Sequence, residues 1–179
     1  MVIKIVKIYV AEVEQKITSE MYIKYIANHQ LGIVREKLII DKNKYGKPFF
    51  VDFPNVYYNV AHTKGLIVCA ISDSCVGIDV ERIKPFNKRI VEKYFSENER
   101  KYVFVSKDNQ DERFAEIWTK KEAYVKWLGK GMDVSFESFD VCHEGVKRMN
   151  CFSYGNYYIS VFNERLAQLS VSEVINKNI

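Results

Sequence analysis

Between Val76 and Glu81 the chain alternates strictly: Val76, Ile78 and Val80 against Gly77, Asp79 and Glu81. A period of two is the mark of a β-strand, and it gives this strand one apolar face and one face that carries both acids. Two like charges on one face repel unless something positive lies between them. A hard divalent cation meets that need, since Mg²⁺ takes a few carboxylates together with waters and phosphate oxygens. Solvent meets it too. An edge strand with a hydrated acidic face has the same pattern, and this segment alone does not choose between the two.

A second segment narrows the choice. Phe114, Ile117, Trp118, Val125 and Leu128 recur at helical spacing, with Lys121, Glu122 and Lys126 bordering the stripe. Taken alone, Glu122 and Lys126 are a surface ion pair at i,i+4, worth about 0.2–0.5 kcal/mol, and Trp118 is a core residue. Taken together, strand and helix bring three carboxylates and two lysines. That is the set needed to hold a divalent cation against a phosphate group.

The remaining pattern is mixed. Residues 2 to 10 read as a first strand with lysines spread through it, not as a signal peptide. Thr18-Ser19-Glu20 starts a helix whose apolar side is Met21, Tyr22, Tyr25 and Ile26, and Gly32 suits its exit. Strands are expected over Lys37 to Ile40, Val56 to Asn59, Leu66 to Ser72 and Val76 to Glu81, with a turn at Tyr45-Gly46-Lys47-Pro48. Asn87 opens a helix. Ser96 caps another, with Glu99 completing a capping box, and that role is preferred to a catalytic one for both residues. A long helix from about Asp111 to Leu128 stops at Gly129-Lys130-Gly131. Strands return near Phe139 to Val141, Cys151 to Ser153, Tyr157 to Phe162 and Leu169 to Val174. There is no low-complexity linker, and no stretch approaches the length of a membrane span.

The net charge of +4 argues for anionic partners without choosing among nucleotides, acidic proteins and nucleic acid. Cys69, Cys75, Cys142 and Cys151 have no zinc-ligand spacing, and Cys69 reads as a small core residue. A reducing cytoplasm is the expected setting.

Three motifs in one order raise the specificity: Gly77-Ile78-Asp79-Val80-Glu81, Phe95-Ser96-Glu97-Asn98-Glu99, and Trp118 through Lys126 with Lys121-Glu122-Ala123 inside it. Upstream lie Tyr45-Gly46-Lys47-Pro48 and Tyr58-Asn59-Val60-Ala61-His62-Thr63. The chain here resembles the 4′-phosphopantetheinyl transferases of the surfactin-synthetase-activating (Sfp) type, across most of residues 45 to 140. The resemblance implies an α+β fold of two similar halves related by a pseudo-twofold axis, with the active site in the cleft between them. The division would fall at about residues 1 to 76 and 77 to 179.

The resemblance also implies the reaction. The 4′-phosphopantetheine arm of coenzyme A moves to a serine hydroxyl of an apo acyl- or peptidyl-carrier protein, and 3′,5′-ADP leaves. Asp79, Glu81 and Glu122 are the implied ligands of Mg²⁺, for which Mn²⁺ can substitute. Glu122 is the first candidate for the base, with Glu81 its competitor; metal and lysines are expected to lower the pKa of Glu122. Lys121 and Lys126 are expected to neutralise phosphate charge. At the nucleotide end the expected contacts are Lys47, His62, Thr63 and Lys24. Each has a plainer reading: Lys47 as a solvated turn lysine, His62 as a structural histidine. Ile83, Pro85, Phe86 and Ile90, flanked by Arg82, Lys84, Lys88 and Arg89, fall where the family docks its carrier, or are ordinary helix packing. The expected protein is a monomer with no nucleic-acid or membrane partner.

Two departures stand out. Ala61 replaces a serine that in the family bonds the 3′-phosphate, and the segment before Lys37 is short, so weaker coenzyme A binding is expected, with Ala61→Ser improving it. Two other classes fit parts of the pattern. A binding module that has lost catalysis fits Ala61, though such a module has no need of three repelling acids. A small basic nucleic-acid-binding protein fits the charge and the tyrosines, without a recognition motif.

Overall fold

The computed structural model describes residues 5–14, 17–142, 149–164 and 168–174. In chain order the elements are β1 (Ile5–Glu12), α1 (Ser19–Leu31), β2 (Ile40–Lys42), β3 (Pro48–Phe50), β4 (Tyr57–Thr63), β5 (Leu66–Ser72), β6 (Val76–Arg82), α2 (Lys88–Tyr94), α3 (Glu97–Phe104), α4 (Gln110–Leu128), β7 (Met149–Tyr154), β8 (Tyr157–Asn163) and β9 (Gln168–Glu173). The class is mixed α+β, as the pattern predicts. Residues 2–4 of the expected first strand lie outside the described residues. Among the described residues no helix is long and apolar enough to cross a membrane.

Two sheets dominate. One has the order β4-β5-β1-β9, the other β6-β8-β7, and β2 and β3 form a separate hairpin. Among the described residues every pairing is antiparallel except β1 with β9, which is parallel and aligns Ile5 with Gln168. The apolar face of β6 predicted from its alternation is buried: Val76, Ile78 and Val80 share one core with Ile8 and Val68 of the first sheet and Ile159 of the second. A second core lies against α1, which buries Tyr22, Ile23, Ile26 and Ala27. Met21, expected on that apolar side, is exposed. A third core gathers Val91, Phe95, Val103, Phe114 and Ile117 from α2, α3, α4 and their joins.

The helix ends follow the expected chemistry. Thr18 caps α1 by accepting from the Met21 N–H, and Gly32 leaves it at φ 67°. Asn87 caps α2. Ser96 and Glu99 form both halves of a capping box on α3. Two strand expectations fail. Residues 35–37 make a 3₁₀ turn, and the strand begins only at Ile40. Phe139 to Val141 form no strand, because their backbone groups are taken by side chains: the Phe139 carbonyl accepts from Lys121 and the Val141 N–H donates to Glu99.

Gly77 decides how closely β6 and α4 approach. A Cβ there would lie 2.1 Å from the Ala123 carbonyl oxygen and 2.4 Å from the Trp127 nitrogen, both backbone atoms that no rotamer change can move. Overpacking of side chains costs about 1–3 kcal/mol, and backbone overlap is expected to exceed that range. Gly77→Ala should therefore unfold the protein at markedly lower temperature in a thermal melt. An unchanged midpoint would mean that α4 can slide along the sheet.

Candidate active site

The acid face of β6 is the face that carries Gly77, so it looks onto α4. Asp79 is buried, and its Oδ1 accepts a hydrogen bond of 2.6 Å from the Lys126 ammonium. Its other oxygen, Oδ2, is buried with no hydrogen-bond partner. Leaving a buried carboxylate oxygen unpaired is costly. Glu122 lies one helical turn before Lys126 on α4, and Glu81 stands two residues beyond Asp79 with Lys84 at 3.7 Å.

Asp79 acts electrostatically on Glu81 and on Glu122, and Glu81 acts on Glu122. Burial pushes the Asp79 carboxyl above the usual range, and Lys126 opposes the rise. Burial raises Glu122 as well, and the charges of Asp79 and Glu81 raise it further. Glu81 is raised by burial and by Asp79, with Lys84 pulling back. The protein's own groups thus shift Glu122 upward, opposite to the lowering expected of a metal and lysines together. Burial and two neighbouring acids outweigh Lys126. A trio of mutually repelling carboxylates with an orphaned buried oxygen suits a hard cation. Among the described residues no three His, Cys, Asp or Glu side chains already stand at metal-binding spacing.

Beside Glu122 and Lys126 lies a cavity of about 820 Å³. Glu122, Val125 and Lys126 of α4 line one wall, Tyr45 to Pro48 another, and Asn59, Tyr94, Trp118 and Phe136 also face it. Asn59 was not singled out as a site residue by the motif reading. Its Oδ1 accepts the Ile78 N–H at 2.9 Å, tying β4 to the edge of β6 just below the cavity. An Asn inside a strand carries no signal in sequence for such a bond.

The other expected contacts scatter. Lys47 lines the cavity, but its ammonium donates to the carbonyls of Val76 and Trp127, each at 3.1 Å, and approaches Cys75 Sγ at 3.5 Å. Burial lowers its pKa. It is a strut between the turn, β6 and the end of α4, not a solvated turn lysine. Lys24 pairs with Glu20 at 2.6 Å along α1 and is absent from the cavity lining. His62 is exposed and Thr63 half-buried at the end of β4, and neither lines the cavity. Ala61 is buried within the core between the two sheets, so a serine hydroxyl there enters an apolar layer and the improvement expected of Ala61→Ser loses its geometric basis.

Lys121 departs most from expectation. It does not border the apolar stripe but is fully buried, its ammonium 2.7 Å from Glu99 Oε2 and bonded at 2.8 Å to Glu99 Oε1 and to the Phe139 carbonyl. Burial pushes this ammonium below the ordinary lysine range, and Glu99 opposes the shift. Glu99 thus does more than close the capping box: it joins α3, α4 and the segment at Val141. The box fully explains Glu99 in sequence, so nothing there signals the second role.

In the region expected to dock a carrier, Phe86 and Ile90 are half-buried against the third core, while Arg82, Lys84, Lys88 and Arg89 are exposed around them. A smaller cavity of about 340 Å³ opens there, between Glu81, Pro85, Ile90 and Trp118.

Fold and site together define an α+β protein in which Glu122 and Lys126 line a large cavity and Lys126 pairs with the buried Asp79. The family described as the 4′-phosphopantetheinyl transferase superfamily matches residues 75–170, from the turn before β6 into β9. The chain belongs to that superfamily. It is 39% identical over 133 residues to the 4′-phosphopantetheinyl transferase gsp of Aneurinibacillus migulanus, covering 73% of this chain and 54% of that protein. It is 27% identical over 131 residues to the 4′-phosphopantetheinyl transferase Sfp of Bacillus subtilis strain 168, covering 73% and 58%. The 4′-phosphopantetheinyl transferase AcpT of Escherichia coli O157:H7 is 39% identical over 88 residues, covering 47% and 45%. The matched stretch therefore spans little more than half of the length of gsp and Sfp. The family resemblance drawn from the motifs is borne out.

Proposed function

We propose that this chain transfers the 4′-phosphopantetheine arm of coenzyme A to a serine of an apo acyl- or peptidyl-carrier protein, releasing 3′,5′-ADP. One observation carries the reading: Glu122 and Lys126 line the large cavity, and Lys126 is paired at 2.6 Å with the buried Asp79. Family membership and the likeness to the transferases gsp and Sfp support it.

In this reading the serine oxygen attacks the β-phosphorus. The bond from that phosphorus to the bridging oxygen breaks, and the bridging oxygen leaves with 3′,5′-ADP. Glu122, or Glu81 in its place, takes the serine proton; burial, which raises both carboxyls, makes either a better acceptor. Lys126 pairs with diphosphate charge at the cavity mouth. Asp79, Glu81 and Glu122 would hold Mg²⁺, or Mn²⁺ in its place, which neutralises diphosphate oxygens when bound. Lys121 acts from the core as a positioning residue and does not touch phosphate. Lys47 serves the nucleotide end if its ammonium leaves the Val76 and Trp127 carbonyls; Lys24, His62 and Thr63 are secondary candidates there.

The same reading treats residues 1–76 and 77–179 as two similar halves about a pseudo-twofold axis, with β9 crossing back to the first sheet. It takes the protein as a cytoplasmic monomer with no nucleic-acid or membrane partner; four unpaired cysteines accord with a reducing compartment. The test is incubation with fluorescent coenzyme A, magnesium and a panel of apo carriers. Label should pass to at least one carrier, and only while magnesium is present. Failure to label any carrier at micromolar protein overturns the reading.

A further inference from the structure

Lys126 and Asp79 form an ion pair of 2.6 Å in which the acid is nearly buried and the lysine side chain is 30% exposed. The lysine also lines the large cavity. One end of this pair is fixed on a strand, while the other is a flexible four-carbon stem able to turn toward solvent or toward a ligand. The ammonium holds Asp79 Oδ1 and leaves Oδ2 with no partner. Lys126 thus satisfies only half of the acid it neutralises, and its charge stands against a second cation at the same carboxylate.

We propose that Lys126 is a resident counter-ion which must leave Asp79 before a divalent cation can bind there, so that cation and diphosphate bind cooperatively. The inference rests on the phosphopantetheinyl-transfer reading for the identity of the anion. Without an anion, a cation entering at Asp79 turns Lys126 out of its ion pair and leaves two positive charges close together. With a diphosphate in the cavity, the displaced ammonium has a new partner a short swing away. By linkage, the anion then strengthens cation binding by the same factor by which the cation strengthens anion binding. Lys126 therefore couples two ligands as well as contacting one of them.

The test is direct binding of Mn²⁺, followed by the paramagnetic resonance signal of the free ion, with and without coenzyme A and with no carrier present. The relevant affinity is the part lost in Asp79→Ala. In the unaltered protein, coenzyme A should tighten Mn²⁺ binding by about tenfold or more, within the ordinary range of such coupling. In Lys126→Met, Mn²⁺ alone should bind more tightly than to the unaltered protein, and coenzyme A should add less. Lys126→Gln, which keeps a neutral donor for Asp79, should fall between them and guards against a folding defect in the methionine variant. If both variants bind Mn²⁺ no better than the unaltered protein while coenzyme A still strengthens binding in all three, displacement is overturned and the transfer reading stands. If the variants bind Mn²⁺ more tightly but coenzyme A changes nothing in any protein, the coupling fails together with the diphosphate reading on which it rests.

Discussion

Asp79→Ala is expected to yield a folded protein whose transfer activity falls by at least about a thousandfold, the loss that follows when several kcal/mol of charge stabilisation leave the transition state. Fold and activity should separate here because Asp79 is no member of the apolar core that Ile78 and Val80 share. The substitution removes a buried acid with one unpartnered oxygen, and it frees a lysine that already reaches solvent. The pKa direction sharpens the expectation. A carboxyl whose pKa is raised on folding binds its proton more tightly in the native state, so its ionised form opposes folding. That penalty is absent below the unfolded pKa and grows as pH rises through the folded one. The variant should therefore melt no lower than the unaltered protein at pH 7 to 8, and relatively better there than at pH 4. A variant that stays folded and keeps near-normal magnesium-dependent turnover removes Asp79 from the metal site.

The second large effect falls on stability. Lys121→Met should cost about 3–5 kcal/mol, because it leaves the carboxylate of Glu99 buried without its counter-charge. For a chain of this size that is a fall of roughly 6–20 °C in melting temperature. Glu99 still accepts from the Ser96 and Val141 N–H groups in the variant, which limits the damage but does not neutralise the charge. Lys121→Met combined with Glu99→Gln should recover part of the loss, since the amide oxygen can accept from one of those groups without a buried charge. If the single variant melts normally and only the Michaelis constant for coenzyme A rises, Lys121 is a phosphate ligand after all and the buried pair is not its working state.

The two residues mark where sequence reasoning succeeds and where it stops. The position of Asp79 was legible because strand alternation is local: a period of two settles which side chains share a face, and apolar partners settle which face is inside. The helix of Glu122 was legible for the same reason, and its register relative to β6 was hinted at by Gly77, though only the 2.1 Å approach to Ala123 explains that glycine. Lys121 was not legible. It is adjacent to Glu122 in a charged run, and nothing local says that one of two neighbouring charged residues turns into the core while the other faces the cavity. Its partner Glu99 lies 22 residues away on another helix. Lys47 was misread for a similar reason, since a turn lysine looks solvated until a strand carbonyl and a helix carbonyl are found on either side of its ammonium. The absent strand at Phe139 to Val141 follows from the same buried pair, whose side chains take the backbone groups that a ladder would have used.

The parallel pairing of β1 with β9 bears on how the molecule comes into being. Ile5 aligns with Gln168 and Val10 with Glu173, so one edge of β1 waits for a partner strand synthesised much later. At ordinary rates of synthesis that interval is roughly 10–30 s, far longer than a hairpin such as β4–β5 needs to close. Closing so long a loop comes late in folding and slows it. During that interval β1 presents unpaired N–H and C=O groups along one side, a template for any neighbouring chain with a free strand. Lys7 lies within this strand and is the sort of charge that discourages such pairing. Aggregation of the nascent chain, more than unfolding of the finished one, is thus where this topology is most exposed.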